Sequence, residues 1–275
     1  MAADSTVISN GNSNGNNDSK AFLQAVKLTR RFGGLTAVNA VSLDLHAGEV
    51  HAVIGTNGAG KSTLINMLSG EMPASEGRVV LKGKDISDWP QPQRARAGMG
   101  RSYQRTTIFA EFTVFENCRL AAQAKQPRPW AFWESAAHCG ASARSAQHAL
   151  ELAGLLDDAD RPAGALSHGA QRQLEIAMCL ATQPQVLLLD EPLAGMGSEE
   201  TERMLSLLER LKHAHAVLLV EHDMDAVFRV ADRVTVMVNG EVIASDVPQR
   251  IRSNRAVQLA YLGEEAPPGH KESAR

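Results

Sequence analysis

The stretch Gly55-Thr56-Asn57-Gly58-Ala59-Gly60-Lys61-Ser62 fits G-x-x-x-x-G-K-[ST], with glycine at both ends of a tight loop. Such a loop wraps so that its N–H groups point inward at phosphate oxygens, and the helix that follows adds its positive end. The chemistry this predicts is binding of nucleotide phosphates by Gly55, Thr56, Asn57, Gly58, Ala59, Gly60, Lys61, Ser62 and Thr63. Lys61 would reach the β- and γ-phosphates and Ser62 would ligate Mg2+.

A carboxylate pair supplies the second half of the chemistry. Asp190-Glu191-Pro192 follows the apolar run Val186-Leu187-Leu188-Leu189, which puts the acids at the C-terminal edge of a buried strand, where parallel sheets present ligands. Asp190 would hold the magnesium through water, and Glu191 would orient and polarise the attacking water. A third segment, Leu166-Ser167-His168-Gly169-Ala170-Gln171, places an N-cap serine and an open glycine backbone at a helix start. That makes a second anion site, separate in sequence from the first.

The elements that must position these groups are legible as alternating signals. Residues 23–28 and 38–45 read as strands of a small antiparallel sheet, Glu49-Val50-His51-Ala52-Val53-Ile54 as a buried strand, and residues 62–68 as a helix with Leu64, Ile65 and Leu68 at helical spacing. Strand signals vanish between about residues 109 and 158, where Ala-rich stretches (121–124, 136–156) predict a helical insertion broken by Pro127 and Pro129. A helix over 168–181, a strand over 186–189, a helix over 199–212 and a strand over 217–220 then predict a parallel, helix-covered sheet. Residues 234–238 and 241–244 form a hairpin through Asn239-Gly240. Residues 9–19, polar and Asn-rich, predict a disordered leader over 1–20, and 266–275 a flexible tail.

At this point the chain resembles the ATP-binding cassette (ABC) family. Leu166 to Gln171 is similar to a variant of its Leu-Ser-Gly-Gly-Gln signature, lying after the P-loop and just before the Asp-Glu strand, and the resemblance runs from about Ala21 to Glu265. It implies a P-loop NTPase (RecA-like) α/β fold: a mostly parallel core (21–103 and 183–265), an antiparallel β subdomain and a helical insertion at about 104–182, all in one nucleotide-binding domain. It further implies roles for Gln104 (contact to magnesium and water), His222 (the switch histidine that touches the γ-phosphate) and Phe32 (stacking on adenine). His168 and Ala170 depart from the family's signature, which leaves hydrogen bonding there to Ser167, the Gly169 backbone and Gln171.

Within the family the resemblance is to ATPases of branched-chain or hydrophobic amino-acid importers, and to the larger of the two such importers pair. It is carried by Arg31-Phe32-Gly33-Gly34-Leu35-Thr36-Ala37-Val38, Leu174-Glu175-Ile176-Ala177, Val220-Glu221-His222-Asp223-Met224 and Ala260-Tyr261-Leu262-Gly263-Glu264. The implied partners are a second ATPase subunit, the same or a sister chain, closing head to tail so that each ATP lies between one P-loop and the other chain's Ser167 and Gly169. Two transmembrane permease subunits and, indirectly, a solute-binding protein complete the system at the cytoplasmic face of a bacterial inner membrane. Arg94, Arg96, Arg101 and Arg105 form either a basic docking patch for the permease or a solvated arginine-rich surface. The alternatives are a lipopolysaccharide-type exporter ATPase and a urea or other small-solute importer. A non-transport ATPase and a nucleotide holder that does not hydrolyse fit less well, given one P-loop, no sustained heptads, and intact Glu191 and His222.

Composition agrees with these limits. The 275 residues are 44% hydrophobic and carry a net charge of −3 from 28 basic and 31 acidic side chains, so covering nucleic-acid phosphates is not the task. Three cysteines without C-x-x-C spacing argue against a zinc site or a disulfide framework and fit a reducing compartment. No apolar run approaches the roughly 20 residues of a spanning helix. A twin-arginine-like Thr29-Arg30-Arg31-Phe32 is discounted because Thr36, Asn39, Ser42 and Asp44 interrupt the apolar segment it needs. His213 and His215, at a helix end with no further ligand near in sequence, are expected to face solvent.

Overall fold

A computed structural model describes residues 21–104, 107–125 and 140–262. The expected leader, the tail, Arg105 and the Pro127/Pro129 break lie outside the described residues. Ten strands form two sheets among these residues. The first is antiparallel, in the order β2-β1-β4-β5, from β1 (Leu23–Phe32), β2 (Leu35–Leu45), β4 (Glu76–Leu81) and β5 (Lys84–Asp85). Strands β1 and β2 run further than residues 23–28 and 38–45 because they stay paired up to the Gly33-Gly34 turn, where Phe32 faces Leu35.

The second sheet has the order β10-β9-β3-β8-β7-β6, from β3 (Val50–Gly55), β6 (Met99–Arg101), β7 (Val186–Asp190), β8 (Ala216–Val220), β9 (Arg233–Val238) and β10 (Glu241–Asp246). All its pairs are parallel except the β9–β10 hairpin at the edge. Every residue of β3, β7 and β8 is buried, as expected of strands covered on both faces. Val186, Leu188, Leu218 and Val220 join a core with helix α1 (Lys61–Ser69) and the antiparallel sheet. Leu187, Leu189, Val217 and Leu219 point the other way, into a core covered by helices.

Register decides where the chemistry lies. Val220 stands opposite both Val53 and Asp190, so the P-loop after β3, Glu191 after β7 and His222 after β8 leave the sheet at one edge. Arg101 of β6 pairs with Leu188, which brings Gln104 to the same edge.

Between β6 and β7 the described elements are helical. Helix α2 (Gln91–Arg96) precedes β6; α3 (Val114–Ala124) starts with a capping box of Thr113 and Glu116. Then come α4 (Gly140–Ala153) and α5 (His168–Ala181), which pack through Cys118, Ala146, Leu150 and Leu174. Helices α6 (Ser198–Leu211), α7 (Met224–Val230), α8 (Pro248–Ser253) and α9 (Arg255–Leu262) complete the chain. No helix among the described residues is long and apolar enough to cross a membrane.

Neither reading of the arginine cluster, docking patch or solvated surface, holds for the described Arg94 and Arg101. Arg94 and Arg96 are two apart on a helix and so point to opposite sides. Arg94 is 2% exposed, donating to the carbonyls of Met67 (2.8 Å), Leu68 (2.8 Å), Ser87 (2.7 Å) and Trp89 (2.9 Å). The Arg101 side chain is 7% exposed and bonds Ser69, Asn66 and Glu71. Two arginines therefore anchor the C-terminal end of the P-loop helix, where cations and the last carbonyls attract one another. His215 likewise departs from expectation: it is half-buried with Nδ1 3.0 Å from the Pro184 carbonyl oxygen, while His213 is exposed.

His51 on β3 is buried between the Asp44 carbonyl oxygen (3.0 Å) and Thr235 Oγ1 (2.7 Å), and burial pushes its pKa down to about 4. The unfolded chain therefore binds a proton first as pH falls. Stability should drop from about pH 6.5 downward, by up to about 3 kcal/mol near pH 4, and His51→Gln should flatten that part of a pH series of urea unfolding curves. In the same assay Arg94→Ala should cost about 3 kcal/mol or more by leaving four carbonyls without their charged donor, whereas Arg96→Ala should stay within about 0.5 kcal/mol.

Candidate active site

Strand β3 can turn into the P-loop only through glycine: a Cβ on Gly55 would lie 2.2 Å from the Met237 carbonyl oxygen of β9. Gly60 enters α1 at φ 97°, with the Ala37 carbonyl oxygen 2.4 Å from where its Cβ would be. Between them Asn57 and Gly58 are exposed at the crest, and Ala59 is tied by its N–H to Thr56 O (3.1 Å) and by its carbonyl to Gly240 N–H (3.0 Å). The β9–β10 turn thus clasps the loop. Helix α1 opens with Lys61, exposed Ser62 and half-buried Thr63. It has no side-chain cap and no acidic residue in its first turn, so its N–H groups are left for an anion.

Lys61 is 7% exposed and its Nζ donates to Gly55 O (2.7 Å) and Thr56 O (3.1 Å). Two of three ammonium hydrogens are used inside the loop and the third remains for a ligand. Burial lowers the Lys61 pKa, with Glu191, Asp190 and Glu221 pulling it back.

Asp190 ends β7 at 5% exposure, its N–H 3.3 Å from Ser102 Oγ. Burial raises its pKa, and Arg101, whose Nη2 lies 3.7 Å away, opposes the shift. Glu191 takes the left-handed conformation, φ 48°, a strained choice for glutamate. Its N–H bonds Val220 O at 2.9 Å. Gln104 Nε2 donates to one carboxylate oxygen of Glu191 at 3.2 Å, and His222 Nδ1 lies 3.8 Å from the other. The geometry therefore brings Glu191, Gln104 and His222 together from three separate segments.

The Gln104 segment is held from α5. Arg172 donates to the carbonyls of Tyr103 (2.6 Å) and Gln104, and pairs with Glu175 at 2.9 Å. Glu175 in turn accepts the Thr107 N–H at 2.6 Å. Both side chains are buried, and burial raises the Glu175 pKa. The same helix begins at Ser167, whose Oγ accepts the Ala170 N–H at 3.3 Å.

Residues 167–171 do not join the P-loop cluster. Ser167 Oγ (2.7 Å) and the Gly169 N–H (3.2 Å) both donate to one oxygen of Glu200, at the start of α6. His168 Nε2 sits 3.3 Å from Ala194 O, and Gln171 turns back to Leu166 O (3.3 Å), away from the anion site given to it. Phe32 ends β1, 42% exposed, with the Arg30 guanidinium 4.7 Å from its ring centroid. Sequence reasoning missed Arg101, Arg172, Glu175, Glu200 and Glu221 as parts of this site. Only Glu200, three residues after Gly197 in helix-capping spacing, left a local signal.

Residues 38–194, from β2 to just beyond Glu191, match the family model described as ABC transporter. The chain belongs to the ABC transporter family. Residues 241–267 match a second model, described as branched-chain amino acid ATP-binding cassette transporter. The chain is similar to the high-affinity branched-chain amino acid transport ATP-binding protein LivG of Salmonella typhimurium, 41% identical over 254 residues, covering 90% of this chain and 99% of that one. To BraF of Pseudomonas aeruginosa, which has the same description, it is 40% identical over 255 residues, with the same shares covered. Its structure is similar to the crystal structure of the ADP conformation of an ABC transporter's ATP-binding cassette, with a TM-score of 0.79 at 30% identity, covering 89% of this chain and 99% of the other.

As an ABC transporter ATPase, the protein binds and hydrolyses ATP, and its fold is the P-loop NTPase cassette. Lys61→Ala removes one charged donor and leaves the loop glycines in place. Nucleotide affinity, measured by titration with a fluorescent ATP analogue, should fall roughly 10- to 150-fold.

Proposed function

We propose that this ATPase powers an importer for branched-chain or related hydrophobic amino acids. The observation that carries the reading is the similarity of 40–41% along 90% of the chain to proteins described as branched-chain amino acid transport ATPases. One nucleotide-binding domain over residues 21–265, with a helical insertion at about 104–182, would work as a dimer of like or sister subunits. Two permease subunits would span the bacterial inner membrane, with this chain on the cytoplasmic face and a solute-binding protein delivering substrate from outside.

In the proposed cycle the loop N–H groups from Gly55 to Thr63 and the Lys61 ammonium hold the phosphates, and Phe32 stacks on adenine. The partner's Ser167 and Gly169 complete the site in trans, which requires those donors to leave Glu200. Closure would use ATP binding energy to bias the permease. Glu191, flanked by Gln104 and His222, would orient and deprotonate water for attack on the γ-phosphate. Ser62, Asp190 and Gln104 offer hydroxyl, carboxylate and amide oxygens, a hard donor set that suits Mg2+. Bound there, the ion would neutralise charge on the β- and γ-phosphates.

The permease is proposed to dock at the cleft of about 320 Å³ beside Tyr103, lined by Gln91, Pro92, Ala121, Met178 and Cys179. The cleft lies against the Gln104 segment that Arg172 holds, so a push there reaches the hydrolysis site through packed groups.

Deleting the gene should abolish uptake of radiolabelled leucine, isoleucine and valine and leave urea uptake intact; the reverse pattern would sink the substrate assignment. Glu191→Gln should keep ATP binding, lower kcat by roughly 100-fold or more and accumulate ATP-dependent dimers on size-exclusion chromatography. Full turnover by that variant would remove Glu191 from the role of base.

A further inference from the structure

The side chain of Glu221 is fully buried beside the hydrolysis site, and the mechanism above makes no use of it. One carboxylate oxygen accepts the N–H of Leu193 at 2.8 Å, and the other accepts the N–H of His222 at 3.1 Å. These donors belong to two different loops, one carrying Glu191 after β7 and the other carrying His222 after β8. The β7–β8 ladder ends at the pair Asp190 and Val220, and beyond it only the Glu191 N–H to Val220 O bond continues. The Glu221 carboxylate is the next link between the two loops.

We propose that Glu221 is a positioning residue for ATP hydrolysis, its buried carboxylate clipping the Glu191 loop to the His222 loop so that base and switch histidine keep one relative geometry. The proposal rests on the reading of Glu191 and His222 as hydrolytic groups.

Three observations carry it. A buried carboxylate is costly unless its oxygens are satisfied, and here both oxygens accept loop N–H groups. Glu191 sits in a left-handed conformation that needs holding from both sides: its own N–H is held by Val220 O, and two residues on, Leu193 is held by Glu221. The His222 ring is held near the same carboxylate, Nδ1 lying 3.6 Å from Glu221 and 3.8 Å from Glu191. The clip also reaches further along its loop, because Ala194, next to Leu193, faces His168 at the start of α5.

Both carboxylate oxygens accept from N–H donors, so glutamine, equal in shape, can satisfy only one and must turn its NH2 toward the other. Glu221→Gln in the full-length protein is therefore expected to lower kcat about tenfold or more, with KM for ATP and binding of a fluorescent ATP analogue changed less than about threefold. In a cycle with His222→Ala, the two effects on kcat should combine to less than their product, because part of what Glu221 does is to set the place of the His222 ring. Glu221→Asp, which keeps both acceptors, should recover part of the lost kcat.

A Glu221→Gln enzyme with kcat within about twofold of the parent, or effects that multiply independently in the cycle, overturns the proposal. So does a collapse of thermal stability and nucleotide binding with kcat per folded molecule unchanged, which would make the carboxylate a support of the fold alone. If instead His222→Ala or Glu191→Gln by itself leaves turnover intact, it is the underlying assignment of those residues that fails, and the two failures are told apart by the single variants.

Discussion

The parallel pairing of β3, β8 and β7 is the constraint on which the rest of the molecule depends. Because Val220 stands level with both Val53 and Asp190, three chain segments leave the sheet side by side, and each brings groups to the candidate site. The P-loop brings backbone N–H groups and Lys61; the second brings Asp190 and Glu191; the third brings Glu221 and His222. A slip of one residue in any pairing would turn apolar side chains from one core to the other. The two cores, built from alternate residues of the same strands, make such a slip costly and so protect the site.

The groups around this edge are held by charged side chains turned inward onto backbone carbonyls and amides. Arg94 fastens the carbonyls at the end of the P-loop helix, Arg172 fastens the Gln104 segment, and Glu221 fastens the loop after Glu191. Each lies where regular hydrogen bonding stops, at a helix terminus or beyond a strand end, where orphan N–H and C=O groups need partners. A buried ion that satisfies several such groups is costly to remove, which suits loops that must hold catalytic geometry while the surface beside them engages other subunits.

Helix α5 carries two sets of contacts on one element. Its first turn carries Ser167 and Gly169, engaged with Glu200, and one turn further in Arg172 grips the carbonyls next to Gln104. Motion of this helix relative to the sheet would therefore be felt at both ends. The loop from Leu193 to Gly197 touches Glu221 at one end, His168 in the middle and Glu200 at the other.

Much of this was legible in the chain itself, and for local reasons. Glycine spacing with a following Lys-Ser specifies a phosphate loop because the conformation it needs is a property of those few residues, and fully apolar runs of four or five specify strands buried on both faces. The Asn-Gly hairpin and the Ser167 cap are equally local. What the chain could not reveal is which distant groups meet. Gln104 and Glu191 are 87 positions apart, and four arginines close in sequence read as a docking patch or a solvated surface although packing sends Arg94 and Arg101 inward. Sequence by itself determined the turn of the loop, the order of the main core elements and the family. Tertiary structure alone decided that Glu221, Glu200 and Arg172 belong to the site, because a side chain's partner follows from sheet register and helix phase, and those are set by packing rather than by neighbours in the chain.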